Sequence, residues 1–210
     1  MEQTLEVFAE AIRTMETAGV EYGVFGGVAV WGYGQRRATK DIDFLICPQD
    51  ADAALDALSQ AGFSTERTDP AWLYKADKDG VSVDVIFEVA GGEVPCERVL
   101  ERRRRVTIEG IDMNVIAPED VILIKLAVIR AERCWDWFDS VGVLKSSGGE
   151  LDWDYLIERS RVNPHRLLSL LLYAKTAGCE NEVPDGILRR LAGLVGIGGG
   201  NRDLQSEGRR

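Results

Sequence analysis

The chain has 210 residues, with 25 Lys and Arg against 35 Asp and Glu, a net charge of −10, and a hydrophobic fraction of 45%. That is the composition of an ordinary globular protein, long enough for one large domain or a main domain with a small helical one. The negative charge argues against a broad, sequence-blind nucleic-acid surface. No stretch approaches the ~20 apolar residues of a membrane span, and Glu2, Glu6, Glu10 and Glu16 do not suit a signal peptide, so a cytoplasmic protein without membrane contact is expected.

Residues 4–18 read as an amphipathic helix, with Leu5, Phe8, Ala9, Ile12 and Met15 at helical spacing and Gly19 as its stop. A short strand over 22–25 runs into the Gly26-Gly27 turn and a short helix over 28–33. Residues 40–47 form a strand rich in β-branched and aromatic residues, closed by Pro48. A helix over 50–61 follows, capped by Gly62. Three strands are predicted over 63–67, 72–76 and 81–89, the last two joined at Asp79-Gly80, a hairpin signal because both positions tolerate positive φ. A further pair, over 104–109 and 111–116, is separated by Gly110. Hairpins mixed with helix crossovers predict an α/β (α+β) fold with a mixed sheet flanked by helices.

From Pro118 the pattern is helical. Pro118 suits a first helical turn, and Glu119 and Asp120 suit the positive end of the helix dipole. Helices are predicted over 118–131, 136–145, 152–161, 164–177 and 184–194. The expected organisation is a catalytic core over 1–116, a helical C-terminal region over 117–195, and a disordered tail over 196–210. Cys47, Cys96, Cys134 and Cys179 are widely scattered and form no CxxC pair, and His165 is the one histidine, so a His/Cys zinc site is not expected. His165 itself reads as a surface residue near a helix start. The run Arg102-Arg103-Arg104-Arg105 is by default a solvated face, with contact to a polyanionic acceptor as its alternative.

The chemistry concentrates on carboxylates. On the strand over 40–47, alternation puts Asp41 and Asp43 on one face, roughly 7 Å apart at Cα, and turns Ile42, Phe44 and Ile46 to a core. Two aspartates on one side repel unless protonated or bridged by a cation. A pair of Mg²⁺ ions, typically ~3.5–4 Å apart in two-metal sites, would relieve that repulsion and need oxygen ligands of this kind. Asp84 sits in the apolar strand Val81-Ser82-Val83-Asp84-Val85-Ile86-Phe87, where a lone carboxylate is costly. It either joins the acidic pair or meets an arginine such as Arg36 or Arg37. Gly26-Gly27, where a strand turns into a helix, exposes backbone N–H groups suited to phosphate oxygens. Arg36, Arg37, Thr39 and Lys40 place positive charge and a hydroxyl just before the acidic pair.

Together, Phe25-Gly26-Gly27, the spacer over 28–40, Asp41-Ile42-Asp43 and a later strand bearing Asp84 resemble the signature of the nucleotidyltransferase superfamily, of DNA polymerase beta-like fold. The stretch from Gly34 to Asp43, with Arg37 and Thr39, is similar to the form carried by minimal nucleotidyltransferases and abortive-infection (AbiE-type) toxins. Lys125, on the helix that opens at Pro118, resembles a lysine that reaches towards the nucleotide, and Asp136 and Asp139 resemble an Asp-x-x-Asp element on the next helix. There the chain departs from its relatives in having Cys134-Trp135 and Trp137-Phe138 around that element.

The resemblance implies transfer of a nucleoside monophosphate from an NTP, such as ATP, to an acceptor hydroxyl with release of pyrophosphate. Asp41, Asp43 and Asp84 would be catalytic and would hold Mg²⁺ or Mn²⁺; Gly26, Gly27, Arg37, Thr39 and Lys125 would hold the nucleotide. A catalytically silent nucleotide-binding module on the same fold and a metal-dependent nucleotide hydrolase stay open. So does the acceptor: a small molecule, a tRNA end or a protein side chain. A toxin role would imply an antitoxin partner. Trp135, Trp137 and Trp153 are candidates to line an acceptor site, with helix packing as their ordinary role.

Overall fold

The computed structural model describes residues 2–36, 39–89, 95–129 and 134–197. Its elements run in the order α1 (Glu2–Thr17), β1 (Tyr22–Phe25), α2 (Gly26–Gly32), β2 (Asp41–Ile46), α3 (Ala51–Gln60), β3 (Ser64–Asp69), β4 (Leu73–Lys78), β5 (Val81–Ile86), α4 (Cys96–Glu101), β6 (Arg104–Ile108), β7 (Ile111–Val115), α5 (Pro118–Val128), α6 (Trp135–Ser146), α7 (Trp153–Arg159), α8 (Pro164–Thr176) and α9 (Asp185–Leu194). The strands form one sheet in the order β3-β4-β5-β2-β1-β7-β6. It is mixed, as the sequence predicts: β2 runs parallel to β5 and β1 parallel to β7, and the remaining pairs are antiparallel.

Local chemistry accounts for the joints. Asp79 and Gly80 both take positive φ, 53° and 77°, the backbone of a two-residue hairpin turn, and pairing begins at once with Lys78 opposite Val81. Glu109 and Gly110 do the same between β6 and β7, at 48° and 80°. The amphipathic face of α1 (Val7, Phe8, Ala11, Ile12 and Met15) is buried, and α1 and α3 pack on each other and on the β4–β5 hairpin. α5 is apolar nearly all round and is buried accordingly, meeting α2, α6 and α7. One hydrophobic core runs without a break from α1 to α9. Gly196, at φ 73°, lets the Ile197 N–H bond back to the Ala192 carbonyl at 2.9 Å, which closes the end of α9. Residues 198–210 lie outside the described residues.

Two features carry no local signal in the sequence. α4 is a six-residue helix just before the basic run, and its first residue, Cys96, is disulfide-bonded to Cys47 at the end of β2, with 5.4 Å between the Cα atoms. The basic run itself is spent internally. Arg103 pairs with Glu21 at 3.0 Å, Arg105 with Glu16 at 2.6 Å, and Arg104 lies 3.9 Å from Glu119. Arg102 is a hub, donating to Glu119 at 3.1 Å and to Asp152 at 3.3 Å, with its guanidinium stacked 3.9 Å from the centre of the Tyr155 ring. The Asp152 N–H in turn donates to Glu119 at 2.8 Å. The first turn of α5 is thereby clamped to the α4–β6 junction and to α7, which uses Glu119 and Asp120 for far more than the helix dipole.

This clamp has a pH signature. Asp120 is 1% exposed, and burial pushes its carboxyl up to about 6, against the opposing pull of the Tyr155 hydroxyl and the Arg102 charge. A carboxyl whose pKa is raised in the folded state holds its proton more tightly there than in the unfolded chain. Stability therefore falls as pH rises from about 4 to about 6. Asp120→Asn removes the titrating group. The wild-type chain should lose up to ~3 kcal/mol relative to this variant across that window, read by chemical denaturation at each pH. Parallel profiles would show that Asp120 stays ionised throughout.

Candidate active site

Asp41 and Asp43 leave β2 on one face while Ile42 and Phe44, both fully buried, leave it on the other. β5 lies beside β2 in parallel register, with Asp43 opposite Asp84 and Asp41 opposite Ser82. Neighbouring strands stand ~4.8 Å apart, so Asp43 and Asp84 are direct cross-strand neighbours. Val83 and Val85 are buried, which puts Asp84 on the acidic face. The three carboxylates open into a cleft of about 780 Å³, walled by Gly26, by Trp72, and by Lys125 and Asp136 from α5 and α6.

Gly26 shapes this cleft. It takes φ +64°, and a Cβ on it would lie 1.8 Å from Asp43 Oδ2 and 2.7 Å from its Cγ. The Asp43 carboxylate therefore rests directly on a backbone surface that only glycine offers. Phe25 pairs with Asp43 across β1 and β2, so the strand register delivers the carboxylate to the glycine.

The three acids are held separately. Thr39 Oγ1 donates to Asp41 Oδ1 at 2.5 Å. Lys75 Nζ donates to both Asp84 oxygens, at 3.0 and 3.2 Å, and Ser82 Oγ lies 3.3 Å from Oδ1. Burial works against the Lys75 charge, but the hydrogen bond and charge of Asp84, with Asp77 and Asp43 behind, outweigh it and raise the lysine's pKa. Among the described residues, the oxygens of Asp41, Asp43 and Asp84 do not all lie within 4.8 Å of one another. The Cys/Asp/Glu trio that meets that distance is Cys47, Cys96 and Glu97, and its two sulfurs are joined to each other. Three carboxylates on adjacent strands form a donor set suited to a hard divalent cation, and the Lys75 ammonium already sits as a cation between the two Asp84 oxygens. The residues fit such an ion in chemistry; sharing one requires their oxygens to draw closer together.

The structure brings Gly26, Asp41, Asp43, Asp84 and Lys125 to one cleft. Thr39 stands at its edge through Asp41, and Gly27 is buried in the first turn of α2. Arg37 lies outside the described residues. The arginine alternative for Asp84 fails at Arg36, which pairs with Glu109 at 3.5 Å and stacks over Trp31; the partner is Lys75. Lys125 is buried, and its ammonium is held by Asp136 at 3.0 Å and by Asp139 at 2.8 Å. Trp135 is 69% exposed, while Trp137 and Trp153 pack on the core; the tryptophan of the cleft is Trp72, whose indole donates to Asp69 at 2.9 Å. Sequence reading missed Trp72 and Glu88, which line the cleft, and Lys75, which holds Asp84. For Lys75 a signal existed. The two-residue turn at Asp79-Gly80 sets Lys78 against Val81, and three steps back along the ladder Lys75 faces Asp84.

A family model described as "Nucleotidyl transferase of unknown function (DUF2204)" matches residues 4–172. No curated protein matches the sequence significantly. Among solved structures, the antibiotic-resistance factor ANT(2'')-Ia aligns with a TM-score of 0.57 at 13% identity, covering 82% of this chain and 96% of that one. An antigenic nucleotidyltransferase-like protein from Paracoccidioides brasiliensis aligns at 0.52 and 14% identity, over 81% of this chain and 93% of its own. The lincosamide antibiotic adenylyltransferase LnuA, in its lincomycin-bound form, aligns at 0.50 and 16% identity, over 68% and 96% respectively. At such identities the likeness is one of fold.

Proposed function

The chain belongs to the nucleotidyl transferase family DUF2204, and on that footing we propose that it moves a nucleoside monophosphate from an NTP to the hydroxyl of a small-molecule acceptor, using a divalent cation held by Asp41, Asp43 and Asp84. The observation that carries this reading is the register of β2 and β5. It sets Asp43 beside Asp84 in one cleft, with Gly26 fitted against the Asp43 carboxylate.

In this reaction the acceptor oxygen bonds to the α-phosphorus, the bond from that phosphorus to the bridging oxygen breaks, and pyrophosphate leaves. Asp41 and Asp43 hold the end of the site nearest Gly26, where the triphosphate lies. Asp84 faces the acceptor hydroxyl and is the carboxylate placed to receive its proton. Gly26 leaves backbone open to the β- and γ-phosphates, with Gly27 buried behind it in the first turn of α2, and Thr39 keeps Asp41 turned to the cleft until the nucleotide arrives. When bound, Mg²⁺ or Mn²⁺ would lower the hydroxyl's pKa and offset negative charge on the α-phosphate. Lys125 stands on the far wall, and with its ammonium shared by Asp136 and Asp139 it would have to turn to meet the nucleotide.

A small acceptor is favoured over tRNA because the chain's one arginine run is engaged by its own acids and the net charge is −10. Consistent with this, LnuA, which shares the fold, is seen with lincomycin. The test is incubation with Mg²⁺ and α-labelled ATP, CTP, GTP or UTP against panels of hydroxyl-bearing small molecules, tRNA and proteins. Transfer to a small molecule gives pyrophosphate and a labelled small product. Free labelled nucleotide as the sole product would make the protein a hydrolase, and labelled tRNA would overturn the acceptor class.

A further inference from the structure

Asp84 is not waiting for a cation; it has one. Lys75, on the neighbouring strand β4, stands opposite it in the antiparallel ladder and reaches both carboxylate oxygens, at 3.0 and 3.2 Å. The Asp84 side chain is 17% exposed and that of Lys75 37%, so the pair sits at the cleft edge, partly open to water. Asp41 accepts from the neutral hydroxyl of Thr39, and the Asp43 carboxylate stands where a Cβ on Gly26 would be. Lys75 is a fixed cation placed on the third carboxylate itself.

We propose that Lys75 is a built-in counter-cation that competes with a divalent ion for Asp84. The inference rests on the reading of Asp41, Asp43 and Asp84 as a metal site and assigns Lys75 a positioning role in it. The physical reason is short-range. An ammonium within 3.2 Å of both oxygens occupies the directions from which a cation would approach. Two cations cannot share these lone pairs without repulsion. A metal that takes Asp84 must therefore displace the lysine, whose flexible four-carbon stem allows it to swing away. Once displaced, the ammonium stands at the cleft edge, on the side of Asp84 away from Gly26. In the resting protein the pair holds the Asp84 carboxylate in place.

The test uses Mn²⁺ alone, titrated into wild type, Lys75→Gln and Lys75→Arg, with free Mn²⁺ read by electron paramagnetic resonance. Removing the competitor should tighten Mn²⁺ binding in Lys75→Gln by ~3–10-fold, the range set by the partial exposure of the pair. Lys75→Arg, which keeps a cation with a two-pronged grip on a carboxylate, should bind Mn²⁺ no tighter than wild type. Adding Asp84→Asn to Lys75→Gln should abolish the gain. A thermal melt without metal checks folding, and if Lys75→Gln is unfolded, the wild-type and Lys75→Arg pair decides: tighter Mn²⁺ binding by the arginine variant overturns the inference. Equal or weaker binding in a folded Lys75→Gln also overturns it, while Asp43-dependent Mn²⁺ binding in the wild type leaves the proposed function standing. Absence of saturable Mn²⁺ binding in every protein overturns both.

Discussion

Asp43→Asn and Asp84→Asn should each lower nucleotidyl transfer by ~10²-fold or more, and they should fail in different ways. Asp43 lies against Gly26, at the end of the cleft assigned to the triphosphate, so its amide variant should weaken binding of the metal–nucleotide complex itself. Asp84 is the carboxylate proposed to face the acceptor, so Asp84→Asn should leave nucleotide affinity within a few-fold and slow the chemical step. Stability separates the two again. Asp84 gives up its partly exposed ion pair with Lys75, a loss of roughly 1 kcal/mol or less for pairs of this kind. Single-turnover transfer, calorimetric titration of the nucleotide and a metal-free thermal melt supply the three readings. A sharp fall in the metal-free melting temperature of Asp84→Asn with transfer intact would make Asp84 a structural ion-pair partner and dissolve the three-carboxylate site.

Gly26→Ala is expected to be nearly as damaging, although it removes no functional group. Its Cβ would lie 1.8 Å from an oxygen of Asp43, so either the carboxylate or the start of α2 must move, and a misplacement of about 1 Å can cost ~10²-fold in rate. The substitution also forces a side chain into the left-handed region at φ +64°, at roughly 1–2 kcal/mol. Gly34→Ala separates these contributions. Gly34 sits at φ +91° and its Cβ would meet Ser146 at an ordinary 3.4 Å, away from the carboxylates. It should carry the backbone cost and keep wild-type transfer. Equal activity in the two variants would mean that the close fit of Asp43 on Gly26 has no part in the reaction.

The parts of the fold legible in the sequence are those written in local periodicity. The alternation over Asp41–Ile46 places two acids on one side and Ile42 and Phe44 on the other before any partner strand is known. The turn at Asp79-Gly80 goes further, because a two-residue turn fixes every pair of the β4–β5 ladder and so contains the Lys75–Asp84 pairing. The neighbourhood of Asp84 and Asp43 was legible only through the motif, since nothing local tells β5 to lie beside β2 rather than at an edge. What stayed hidden depends on residues distant in the chain. The four arginines read as one surface feature, yet their partners are Glu16, Glu21, Glu119 and Asp152. Cys47 and Cys96 are 49 residues apart and share no motif. α4 is too short for a helical period to declare itself. Trp135 and Trp72 are both exposed tryptophans, and only the tertiary placement of the β3–β4 turn tells which one borders the cleft.

The most direct measurement of the central claim is the position of Mn²⁺, located by its anomalous scattering in crystals grown with a non-hydrolysable NTP analogue. The expected result is a peak within ~2.3 Å of carboxylate oxygens of Asp41 and Asp43, with the triphosphate beside Gly26 and Lys75 turned away from Asp84. Mn²⁺ and nucleotide held elsewhere, with the three aspartates still on Thr39, Gly26 and Lys75, would contradict it.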